Sequence, residues 1–158
     1  MILGRLRALA GGRPAAAPRT RKVVPLAEYD LALKAALVTL PERTQTAFAA
    51  ACAERLSPAY ADFVRASGRD DGGLVRQALD LAWKGAKAGV VHEDGPSRLV
   101  ERCVALIPDD GAEDAIPAHA DDAIASVAYA LQAAAGLDPK AAGWAAQRVT
   151  DALDHFVR

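Results

Sequence analysis

The sequence predicts an all-α protein, a single compact bundle of about seven helices, and three observations carry that expectation. After Pro25, apolar residues recur at three- and four-residue spacing, the period of a helix with one face turned inward. The hydrophobic share is 52%, but much of it is alanine and the aromatics are only two Trp, three Tyr and three Phe. Alanine is the best helix former and a small core residue, so this composition suits closely packed helices. Runs of alternating Val, Ile and Thr, the mark of strands, are missing. A chain of 158 residues fits one domain. At that size folding buries about two thirds of the unfolded surface, so stability requires neither a metal nor a disulfide.

The elements follow in order. Residues 1–24 read as a basic leader and 25–158 as the helical domain. The leader holds Arg5, Arg7, Arg13, Arg19, Arg21 and Lys22 and no acid, which leaves 13 basic and 20 acidic residues in the remainder. Residues 11–25 combine Gly, Pro and cations without helical period and read as a linker. Ile2, Leu3, Leu6 and Leu9 fall on one side of a short basic amphipathic turn. Arg5 and Arg7 interrupt what would be the apolar region of a secretory signal. A poorly ordered tail, a contact with anionic lipid or nucleic acid, and an organelle-type leader or overextended start are the readings of this segment. Nucleic acid is otherwise not an expected partner.

Leu26, Tyr29, Leu33, Ala36 and Leu40 give a first helix ending near Thr39. Thr39-Leu40-Pro41-Glu42 reads as a capping box opening a second, with Phe48, Cys52 and Leu56 inward. Ser57-Pro58 offers an N-cap and first-turn proline for a short third helix, which Gly68 ends. Asp70 and Asp71 cap a fourth, with Leu74, Val75, Ala78, Leu79, Ala82, Trp83 and Ala86 inward and Gly89 as its stop. Asp80 and Lys84 on its outer face are spaced as an i,i+4 pair. Val90 to Pro96 form a loop. A fifth helix uses Leu99, Val100, Cys103, Val104 and Ile107 and stops at Pro108. The sixth runs from about Asp121 to Ala135, and the last starts at Asp138-Pro139 with Ala145, Val149, Ala152, Leu153 and Phe156 inward.

The remaining signals narrow the function classes. No apolar run approaches the roughly 18 residues that span a bilayer, and a cytoplasmic protein is expected. Cys52 and Cys103 lie within helical apolar patterns and read as small hydrophobes rather than as a disulfide. His92, His119 and His155 are scattered, without metal-ligand spacing. No nucleophile elbow or phosphate-binding loop occurs, so no catalytic residue, metal or cofactor is expected. Asp109, Asp110, Glu113, Asp114, Asp121 and Asp122 crowd one region; their spacing is poor for a calcium loop and better suits a negative face for a basic partner.

The stretch Phe48-Ala-Ala-Ala-Cys52-Ala-Glu54-Arg55-Leu-Ser-Pro58-Ala-Tyr60-Ala-Asp-Phe63, continued by Gly68, Asp71, Leu79-Asp80 and Trp83, resembles the opening motif of the YjaG-like bacterial family of unknown function (domain of unknown function 416). Ile107-Pro108 and Asp121-Asp122-Ala123 are similar to its later motifs. The resemblance covers roughly residues 40–155 and is strongest before Trp83. It implies an all-helical fold, brings no catalytic residues, and carries a loose association with bacterial signalling.

Within that run, Phe48, Cys52, Phe63 and Leu79 are assigned to the core. Glu54, Arg55, Tyr60, Asp80 and Trp83 are assigned to a partner surface, joined by Asp121 and Asp122, because Arg, Tyr and Trp are the usual interface anchors. A structural role for Arg55, tying a helix junction through Asp62 or Asp80, is the competing reading. The expected function is a non-enzymatic helical module that binds another protein. An immunity or antitoxin protein neutralising a toxin is one alternative. The other is an enzyme with a small-ligand pocket between helices, which requires Glu54, Arg55, Tyr60 and Asp80 to converge.

Overall fold

Pro58 lies inside a helix rather than at the start of one, and this sets the helix count. A computed structural model describes residues 24–69, 71–89, 95–107 and 117–157, with side chains through Asp154. Among the described residues there are six helices and no strand: α1 (Leu26–Leu37), α2 (Glu42–Ser67), α3 (Leu74–Ala88), α4 (Gly95–Val104), α5 (Ala118–Ala134) and α6 (Ala141–Val157). The leader as far as residue 23, Asp70, His92 and the acidic residues 109–114 lie outside the described residues, as do the side chains of His155 and Phe156.

The expected second and third helices are thus one, 26 residues long. A proline in a helix interior withholds the N–H that the carbonyl four residues back would accept. Here that carbonyl belongs to Glu54, and the Ser57 hydroxyl donates to it instead at 3.0 Å. The residue read as an N-cap therefore repairs the helix through the proline, and the count falls from about seven to six. Further on, Gly68 stops α2 as expected, at φ 69° with its N–H donating to the Val64 carbonyl.

The helix starts differ from expectation in detail. Thr39 does not cap α2: its hydroxyl donates to the Ala36 carbonyl at 2.7 Å, closing the end of α1. Asp71 does serve α3, accepting the backbone N–H groups of Gly73 at 2.9 Å and Val75 at 3.1 Å. The turn between them passes through Gly72 and Gly73 at φ 62° and 74°, backbone that side-chain-bearing residues rarely adopt. α5 begins at Ala118 rather than near Asp121, so both aspartates lie within its first two turns.

α5 is the central element, packed against α2, α3, α4 and α6. Ile124, Val127 and Leu131 on it are wholly buried, together with Leu79 of α3 and Cys103 of α4. Ala49, Ala50 and Ala53 are buried on α2, and so are Ala141, Ala142 and Ala145 on α6. These small side chains let the helices approach closely. Two short polar side chains reach backbone carbonyls on neighbouring helices: Thr46 donates to Ala133 and Ser126 to Ala145, each at 3.3 Å. Cys52 is half-buried, Cys103 is buried, and both are free thiols.

Phe48 and Phe63 pack against this core from partly buried positions. Leu153, expected inside, is instead 60% exposed, and Val104 on α4 is 50% exposed. α1 rests mainly on α6 and leaves Leu26, Tyr29 and Leu31 largely in solvent. No helix among the described residues is long and apolar enough to cross a membrane.

Candidate functional site

The residues assigned to a partner surface separate into three places. The first is a network where α2 meets α3. Arg76, on the exposed side of α3, donates from Nη1 to Glu54 Oε1 at 2.9 Å and from Nε to Asp80 Oδ1 at 2.9 Å. The Trp83 indole N–H donates to Glu54 Oε2 at 3.0 Å. Hydrogen bonds from Arg76 and then Trp83 hold the Glu54 carboxyl below its ordinary range. All three charged side chains are substantially exposed, where an ion pair contributes little, about 0–1 kcal/mol. The network joins α2 to α3, and the Trp83 ring beside it, assigned to a partner surface, is partly buried and packs against the core. Sequence reading missed Arg76, although it stands four residues before Asp80, on the same helix face.

The second place is interior, and here two assignments are corrected. Tyr60 is only 7% exposed. Burial, followed by the adjoining Asp71 carboxylate that accepts its hydrogen bond, pushes the phenol up to about 12. Tyr60 thus ties α2 to the entry of α3 and does not face a partner. Asp122 is 4% exposed, on the side of α5 that packs against α6. There it accepts from Arg148 Nη1 at 3.2 Å, while Arg148 Nη2 lies 3.4 Å from Asp151. Burial raises the Asp122 carboxyl, against the lowering effect of Arg148. Asp121 is half-buried. Neither aspartate offers the open negative face that the acidic run suggested, and among the described residues no three His, Cys, Asp or Glu side chains gather as metal ligands.

The third place holds Arg55. Because α2 runs on through Pro58, Arg55 sits in mid-helix rather than in a last turn, and it joins neither Asp62 nor Asp80. It lies at the edge of a groove of about 590 Å³ between α1, α2 and α6. Leu26, Tyr29 and Leu33 form one wall, Phe48 and Cys52 another, and Val149 and Leu153 the third. Asp154 stands on the α6 rim. Glu54 and Asp80 meet on Arg76, Tyr60 is inside, and Arg55 borders the groove, so these four side chains do not line one cavity.

The groove depends on α1, and α1 is held by Lys34. Its ammonium donates to Gln147 Oε1 at 2.9 Å, pairs with Asp30 at 2.9 Å, and sits 4.7 Å from the centre of the Trp144 ring. The lysine stem crosses Gly143 so closely that an added Cβ there would lie 3.1 Å from Lys34 Cγ. Lys34→Ala is expected to loosen α1 by roughly 1 kcal/mol, the worth of a cation–π contact with a hydrogen bond. Amide exchange should speed up across residues 26–37 and leave α5 unchanged. Equal protection of α1 in both proteins would show that its apolar contacts suffice.

A family model described as "Protein of unknown function (DUF416)" matches residues 32–158, which takes in everything from the middle of α1 onward. The groove is therefore mostly within the match, while Leu26 and Tyr29 lie before it. No curated protein and no solved structure matches the chain.

Proposed function

The chain belongs to the DUF416 family of proteins of unknown function, and from that starting point we infer that it is a non-enzymatic interaction module that docks another protein in the α1–α2–α6 groove. One observation carries this reading. Leu26, Tyr29 and Leu153 border a single apolar groove while remaining 55%, 52% and 60% exposed. Contiguous exposed apolar surface with a polar edge is the usual mark of a protein contact. A cytoplasmic location belongs to the same reading, since the free thiols of Cys52 and Cys103 suit a reducing compartment.

Ala51 lines the groove yet is itself exposed, so a larger side chain there fills the groove without entering the core. Ala105, exposed beyond α4, is a control away from it. Wild type and Ala105→Trp are expected to retain a common partner from native lysate, and Ala51→Trp to lose it with unchanged thermal stability. Retention of the same proteins by all three would refute docking in the groove.

A further inference from the structure

We propose that the groove's occupant is an amphipathic helix of another protein, which lays an apolar stripe into the groove and presents a carboxylate to Arg55. This rests on the interaction-module reading above and specifies the partner's chemistry.

The walls favour a helix. Leu26, Tyr29 and Leu33 are spaced three and four apart, and so are Phe48, Cys52 and Arg55. Each wall is therefore a helix ridge, and a ridge takes up side chains that repeat at the same spacing. A small ligand needs about 70–90% of its surface enclosed, and walls as open as Leu26, Tyr29 and Leu153 do not enclose one. A helix needs cover on one face only.

Charge then selects among helices. Arg55 is exposed at the groove's edge and makes no hydrogen bond or ion pair with any described residue. An apolar helix that brought a cation beside it would be repelled, while a carboxylate gains a two-pronged charge-assisted bond. The same argument disfavours this chain's own leader, whose apolar residues Ile2, Leu3, Leu6 and Leu9 are accompanied by Arg5 and Arg7 and by no acid.

The test uses the full chain and synthetic amphipathic helices of about three turns, identical except for Glu, Ala or Lys at the position flanking the apolar stripe. The Glu peptide is expected to bind wild type about tenfold more tightly than the Lys peptide, the size of one close charge pair. Arg55→Glu should reverse that order, and Ala51→Trp should abolish binding of both. Equal binding of the three peptides, or an order unchanged by Arg55→Glu, overturns the carboxylate–Arg55 pairing but leaves groove docking standing. Absence of binding by every peptide overturns the helical occupant, while docking itself is judged by the Ala51→Trp capture experiment. Two further results also overturn the proposal. One is self-association of wild type that Ala51→Trp abolishes, which makes the occupant a second copy. The other is tighter peptide binding by the Leu6→Ser/Leu9→Ser double variant, which strips the leader's apolar stripe; that result makes the leader the occupant.

Discussion

Ile124→Ala is expected to lower the unfolding free energy by about 2–5 kcal/mol, the range for emptying a fully buried Ile site. Such a loss is a large share of the roughly 5–15 kcal/mol that holds a domain together. The reason lies in the composition of the core. Many of its buried positions are alanine, so burial of large apolar area falls to a few side chains, chiefly Leu79, Ile124, Leu131 and Val127. Ile124 is on the helix that touches four others, and its neighbours cannot all move inward to close the cavity. Urea unfolding should show a lower midpoint with an unchanged slope. Leu31→Ala, at a site 73% exposed, should stay within about 0.5 kcal/mol of wild type. A loss below about 1 kcal/mol for Ile124→Ala would mean that α5 is not the centre of the core.

The second large effect concerns Asp122, and its sign depends on the replacement. Asp122→Ala removes the α5 acceptor from the half-buried Arg148 guanidinium and is expected to cost about 1–3 kcal/mol. Asp151 still pairs with Arg148, which keeps the loss below that of a fully orphaned charge. Asp122→Asn preserves an acceptor and removes the penalty of burying a carboxylate, so it should match or exceed wild type at neutral pH. Because burial raises the Asp122 carboxyl, the folded state binds the proton more tightly than the unfolded chain. Wild-type stability from this group is therefore greatest below the unfolded value of about 3.9 and is lost as pH rises through the higher folded value. The advantage of Asp122→Asn should accordingly shrink on acidification. Chemical unfolding at neutral and acidic pH checks both signs. An Asn variant less stable than wild type at neutral pH, with a gap that narrows on acidification, would show that the Arg148 pair outweighs desolvation.

Much of the fold was legible in the sequence because much of it is local. The apolar stripe of α3 and its stop at Gly89, and the stop of α2 at Gly68, follow from periodicity and glycine placement alone. The Ser57-Pro58 pair misled because its resolution is a single side-chain bond to the Glu54 carbonyl, whereas propensity speaks only of the average proline. Tyr60 and Asp122 carry polar atoms that read as exposed. Each is buried because another element supplies its partner, Asp71 for one and Arg148 for the other. Arg76 escaped notice since its bond to Glu54 needs α2 and α3 to be side by side. The groove was hidden for a related reason. The stripe of α1 was expected to face inward, but α1 rests mainly on α6, and Leu26, Tyr29, Ala36 and Leu40 of that stripe are exposed.

The most direct test of the groove as a docking surface is photocrosslinking within intact cells, with the reactive side chain placed at position 51 or at position 105. A discrete adduct to one protein is expected from position 51, absent from position 105 and suppressed when Tyr29 and Leu153 are both replaced by Asp. Identical adduct patterns from the two positions, or an adduct at 51 indifferent to those replacements, would contradict docking in the groove.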